Sequence, residues 1–185
     1  HHGMMIVNIK SERIEEPVMD LLRKYEVKDY FFLDSSFPMV KLLTDKGIND
    51  IALRYSELEG IDTIENMAGK VKWIWVDTFT KIPIDKKTEQ YMHEMGYKLC
   101  FVSPELESQP EKINLYIDEI KNTGLHFDAV CSKTAYLGRW KESFLEVLFV
   151  GKGRWHRIDT PLVGPDLIYL LIRLQFYLAV DHEPL

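Results

Sequence analysis

The chain has little of what would mark a disulfide scaffold, a nucleic-acid binder or a membrane protein. Among its 185 residues there are two cysteines, Cys100 and Cys131, on different apolar segments and in no C-x-x-C arrangement. This argues against a cystine framework and a thiolate metal site, and two buried free thiols are expected instead. An excess of basic residues is missing too. The formal net charge of -6 and a pI near 5.5 argue against a nucleic-acid backbone as the main partner. A small phosphorylated molecule stays compatible, because a few local cations suffice to hold it. The longest apolar stretch, Leu162 to Val180, is broken by Asp166 and Arg173, so no membrane span is expected. No signal peptide is expected from its opening residues. His1-His2-Gly3-Met4 reads as the remnant of an expression tag, and a cytoplasmic location is the expectation.

What the chain does contain is a series. Short apolar runs ending in polar residues recur as IVNIKSE (6–12), YFFLDSS (30–36), DIALRYSE (50–57), KWIWVDTF (72–79), KLCFVSPE (98–105) and FDAVCSK (127–133). Their polar ends, Lys10, Asp34, Arg54, Asp77, Ser103 and Ser132, fall roughly 20 to 30 residues apart, the length of one βα unit. Continuous apolar strands of this kind belong to parallel sheets covered on both faces. The gaps carry helical patterns. Val18, Leu21, Leu22 and Tyr25 recur at helical spacing after Pro17, and further helices are predicted over 38–46, 63–68, 86–95 and 111–123. The last shows an apolar stripe of Ile113, Tyr116, Ile117 and Ile120. Gly47, Gly69, Gly96 and Gly124 stand where these four helices should end.

The pattern predicts an α/β domain over 5–140, with repeated βα units and parallel strands. A complete eight-fold barrel typically needs about 250 residues, so a partial or incomplete TIM-type barrel is the expected architecture. The rhythm stops near Trp140. In the tail, 141–185, Leu167 to Ala179 reads as an apolar helix, Phe144 to Val150 as strand or helix, and Gly151-Lys152-Gly153-Arg154 as a loop. The role of this tail stays open.

In closed βα folds the carboxyl ends of the strands face the active site. Lys10 ends a buried strand, where a cation needs solvent or an anionic partner; a salt bridge and a phosphate contact are the two readings. Asn8 projects to the same side and offers an amide oxygen to a hydrogen bond or a hard cation. Arg54, Glu57, Asp77 and Glu105 lie at or just after other strand ends; each alone is more often a helix cap or a surface charge, and their joint occurrence on one rim is what points to a site. Asp34-Ser35-Ser36 before Pro38 reads as the cap of the second helix.

The order NIKSE, FFLDSSFP, ALRYSELE, IWVDTF, LCFVSPEL and AVCSK resembles the later part of glycerophosphodiester phosphodiesterase-like proteins, in the barrel superfamily that also contains phosphatidylinositol-specific phospholipase C. The resemblance covers about residues 5 to 140. It implies phosphodiester cleavage assisted by a divalent metal, magnesium or calcium. Lys10 matches the lysine of that family's E-I-K strand, and Asn8 stands where it has a metal-binding carboxylate. Lys10, Arg54, Asp77 and Glu105 become candidate substrate-binding residues and Asn8 a candidate metal ligand. The family's catalytic histidines lie on earlier segments, a strand ending in His-Arg-Gly and another in His-Asp, which have no counterpart before Ile6. His93, His126, His156 and His182 do not match them, so no catalytic residue is assigned. Little or no hydrolysis is expected from this chain alone. The alternative is a non-catalytic phosphate- or phosphosugar-binding module. A partial barrel also leaves open strand edges, which the tail, another chain or self-association would have to cover.

Overall fold

The structure is a computed structural model that describes residues 4–143 and the backbone of 148–152 and 174–179. Strands and helices alternate as the sequence rhythm requires: β1 (Met5–Ile9), α1 (Glu15–Lys24), β2 (Tyr30–Leu33), α2 (Phe37–Asp45), β3 (Ala52–Tyr55), α3 (Asp62–Asn66), β4 (Trp73–Val76), α4 (Lys86–Glu94), β5 (Lys98–Val102), α5 (Ile113–Thr123), β6 (Ala129–Lys133) and α6 (Leu137–Ser143). Two further strands, β7 (Leu148–Lys152) and β8 (Leu174–Ala179), come from the tail. The four helices predicted with bounds agree with the observed ones to within two residues at either end, and Pro17, Val18, Leu21 and Leu22 fall in α1. Gly47, Gly69, Gly96 and Gly124 have φ of +77, +73, +87 and +64°, left-handed conformations that favour a residue without Cβ.

The eight described strands lie in one sheet, in the order β2-β1-β8-β7-β6-β5-β4-β3. The β1–β2 pair and the run from β3 to β7 are parallel, whereas β8 is antiparallel to both β1 and β7. The two strands at the ends of this order are themselves joined by a parallel bridge between Phe32 and Ile51, with Phe32 N–H donating to the Asp50 carbonyl at 2.9 Å. The tail differs from expectation at two places. Residues 174–179 are strand where an apolar helix was expected, and Gly151 and Lys152 belong to β7 rather than to a loop. A short apolar run has no decisive periodicity, and pairing with β1, β6 and β7 decides its state. The remainder of both expectations lies outside the described residues.

Side-chain alternation along the strands divides the interior into two clusters. Val7, Ile9, Phe32, Leu53, Ile74, Leu99 and Val130 pack against the helices, where the stripe of α5 is buried as predicted. Ile6, Phe31, Leu33, Ala52, Trp73, Trp75, Cys100, Val102, Ala129 and Cys131 form a second cluster whose fully buried members all come from strands. Phe31 stacks on Trp73 there with ring centroids 4.8 Å apart. Both cysteines are free and buried in this cluster, and burial pushes the Cys100 thiol far above its ordinary range, which removes it as a thiolate nucleophile. Among the described residues, no helix is long and apolar enough to cross a membrane.

Candidate functional site

The face carrying the strand-only cluster ends in polar residues at the carboxyl ends of the strands. Following Ile6 by steps of two gives Asn8 and then Lys10; following Ala52 gives Arg54; following Trp73 and Trp75 gives Asp77. Period-two alternation therefore delivers these side chains to one place. They line a cleft of about 170 Å³ together with Leu33, Asp34, Trp75, Val102, Leu106 and Glu107.

The charged groups are connected. Lys10 Nζ lies 2.5 Å from Asp34 Oδ2. Arg54 donates through Nε to Asp34 Oδ1 at 2.9 Å and also pairs with Asp77 through Nη1. Asp77, 2% exposed, receives a further hydrogen bond at 2.8 Å from the Trp75 indole N–H. Asp34 adopts φ of +64°, a left-handed conformation that aspartate tolerates better than most side chains, and the chain turns where the carboxylate meets both cations. Burial opposes ionisation of Asp34, but the hydrogen bonds from Lys10 and Arg54 prevail and hold its carboxyl below the usual range. For Asp77 the balance runs the other way. Burial pushes its carboxyl up to about 6; Arg54 and Trp75 oppose the rise, while Glu107 and Glu59 add to it. Arg54, although partly desolvated, has its pKa raised by Asp77 and Asp34.

The two carboxylates thus act on stability in different pH windows. Asp34 contributes stability above its unfolded pKa, lost as pH falls through its lowered folded value. Asp77, with its folded pKa raised from 3.8 to about 6, favours the folded state below pH 4 and loses that contribution as pH rises to 6. Comparing urea unfolding of the wild type and Asp77→Asn between pH 4 and 7 should isolate this effect. The free-energy difference, wild type minus variant, is expected to fall by roughly 2 kcal/mol across that interval. A difference independent of pH would show that Asp77 titrates normally.

Asn8 is 4% exposed, and its Oδ1 has no hydrogen-bond partner among the described residues. This orphan oxygen suits a hydroxyl donor or a hard cation. The full side-chain set does not fit a divalent metal, however. Asp34 and Asp77 direct their oxygens to Lys10, Arg54 and Trp75, and among the described residues no group of three His, Cys, Asp or Glu side chains is placed to hold one.

Of the residues singled out from the sequence, Asn8, Lys10, Arg54 and Asp77 meet in the cleft; Glu105 does not line it. Glu105 turns inward, 1% exposed, accepting from Ser132 Oγ at 2.6 Å, from the Lys133 backbone N–H at 2.8 Å and from Ser103 Oγ. Trp140 Nε1 donates to that same Ser103 hydroxyl at 2.8 Å. Glu57 accepts from Thr80, also outside the cleft. The capping role expected for Asp34-Ser35-Ser36 is not realised: Ser36 occupies the N-cap of α2 without a side-chain cap bond, and Asp34 is committed to the two cations. Glu107, Trp75 and Leu106 were not singled out from the sequence. For Trp75 the signal was present, two residues before Asp77 on one strand face; for Glu107, on a 3-10 turn, there was none.

His93 and His126 sit together beside the starts of β5 and β6, away from the strand ends that form the cleft. Their ring centroids are 5.6 Å apart, and His93 Nε2 lies 3.2 Å from Glu89. His156 and His182 lie outside the described residues. No protein-family model, curated protein or solved structure matches the chain.

Proposed function

We propose that this chain binds a small phosphorylated polyol or sugar in the strand-end cleft and does not hydrolyse it by itself. The observation that carries this reading is the convergence of two cations, Lys10 and Arg54, with the orphan Asn8 oxygen around one small cleft. A phosphoryl group fits the cations, in competition with Asp34 and Asp77, to which all three guanidinium nitrogens of Arg54 already donate. A ligand hydroxyl supplies the donor that Asn8 Oδ1 lacks. Neither of the described histidines is at the cleft, so the acid–base half of phosphodiester cleavage has no assigned residue.

The resemblance to the later strands of glycerophosphodiester phosphodiesterase-like proteins supports the same ligand class. The bridge between the end strands and the cluster built from strand side chains favour a sheet derived from such a barrel. In that reading β7 and β8 occupy places where the family has βα units, and the antiparallel β8 departs from its all-parallel pattern.

Binding has an electrostatic cost, because Asp34, Asp77 and Glu107 also line the cleft. An anion placed beside Asp77 raises the carboxyl pKa further, so binding draws in a proton. Affinity for a phosphodiester, whose own charge does not change in this range, is expected to rise as pH falls from 7 to 5. Titration calorimetry with glycerol phosphate and with glycerophosphocholine tests both points. Lys10→Ala should weaken binding by about tenfold or more, and Asp77→Asn should flatten the pH dependence. Absence of binding to the wild type would refute the assignment. Metal-dependent release of an alcohol from glycerophosphocholine, abolished by Lys10→Ala, would show instead that the chain is a hydrolase.

A further inference from the structure

A second cleft of about 300 Å³ opens beside the first, lined by Ile9, Lys10, Ser11, Glu12, Glu15, Asp34 and Ser36. Its distinguishing member is Glu15. This residue is 0% exposed, and neither carboxyl oxygen has a hydrogen-bond partner among the described residues. A carboxyl group buried without a donor costs free energy that a leucine or alanine there would not incur. Its place at the first position of α1 puts it near the positive end of the helix dipole, but Ile14 at the N-cap provides no side-chain bond. The helix end eases the charge without satisfying the oxygens.

The surroundings indicate what would. Three carboxyl groups, Glu12, Glu15 and Asp34, face one ammonium, Lys10, which is engaged by Asp34 at 2.5 Å. The cleft therefore has an excess of negative charge and selects a cation. Ser36 donates to Glu12 Oε2 at 3.0 Å, fixing that carboxylate at the edge, where it is exposed. Ile9 contributes an apolar wall. Buried acceptors, negative charge and an apolar wall together suit an ammonium group on a short alkyl stem. A divalent metal would require several converging oxygen ligands, and the described residues contain no cluster of three acidic or histidine side chains placed for one.

We propose that this cleft binds a primary alkylammonium group, with its N–H donors directed to the Glu15 carboxyl oxygens and Glu12 adding charge at the mouth. The site shares Lys10 and Asp34 with the phosphoryl cleft but uses neither Arg54 nor Asn8. Calorimetry with n-propylammonium, tetramethylammonium, magnesium and calcium chloride as probes tests it on the full chain. Saturable binding of n-propylammonium is expected, with tetramethylammonium weaker because it has no N–H to donate. Glu15→Gln should weaken binding by at least about tenfold. Glu12→Gln, an exposed change that leaves the fold intact, should weaken it by about two- to fivefold, and so keeps the test decisive if Glu15→Gln misfolds. No amine binding, equal binding of tetramethylammonium, preference for either metal ion, or affinity unchanged in Glu12→Gln would each overturn the proposal.

Discussion

Replacing Glu105 by alanine is expected to lower the free energy of unfolding by about 4 kcal/mol, without weakening glycerol phosphate binding to the protein that remains folded. The carboxylate accepts from the Ser103 and Ser132 hydroxyls and from the Lys133 backbone N–H. Hydroxyls can rotate toward other acceptors, but the Lys133 N–H is fixed by β6 and would lose its bond. The Ser103 hydroxyl also receives the Trp140 indole N–H, so the change reaches the largest fully buried side chain among the described residues. The Lys133 ammonium donates to the Glu105 carbonyl at 2.8 Å, a contact that survives the substitution and should limit the loss. Glu105→Gln keeps one acceptor oxygen and should cost about half as much. Denaturant unfolding gives both numbers, and calorimetry at a temperature where the variant is folded gives the affinity. A stable Glu105→Ala variant that has lost the ligand would return Glu105 to the binding site.

Arg54→Met should destabilise the protein by about 3 kcal/mol and also weaken phosphoryl binding. The guanidinium serves Asp34 and Asp77 at once, and removing it leaves Asp77 buried without its cation. The expected cost lies at the lower end for buried pairs because the Arg54 side chain is 35% exposed and partly screened by solvent. The double variant Arg54→Met/Asp77→Asn removes the stranded charge and should recover about 1 kcal/mol or more of that loss. Equal stability of the single and double variants would show that Arg54 does not hold Asp77. The pH profile offers a second check. Without Arg54, the Asp77 carboxyl should titrate higher still, and the fall in stability with rising pH should move upward with it.

Arg54 and Glu105 show why residues that look alike in the sequence have different roles. Both are charged residues at or just beyond a strand end. Arg54 continues the alternation of Ala52 and emerges over the cleft, so counting by two along β3 already placed it. Glu105 lies past the end of β5, on a 3-10 turn opened by Pro104, where alternation no longer applies. Its direction depends on the turn and on the donors that β6 presents. Asp34 gives a third case. Its sequence context offers a helix cap, a local bond, yet Lys10 and Arg54 arrive from neighbouring strands and two charge-assisted bonds outweigh it.

The sequence by itself determined the alternation of strands and helices, the glycine helix ends, the buried stripe of α5 and the strand-end face where Asn8, Lys10, Arg54 and Asp77 meet. These follow from periods of two and 3.6 residues and from left-handed glycines, all contained within a few consecutive positions. Tertiary structure decided that Lys10 and Arg54 share Asp34, that Glu105 turns inward, that Glu15 is buried without a partner, and that the tail adds β7 and β8 between β6 and β1. Each of these depends on groups distant in the chain but adjacent across the sheet. Their charges and hydrogen bonds compete for partners only once the strands have set the distances between them.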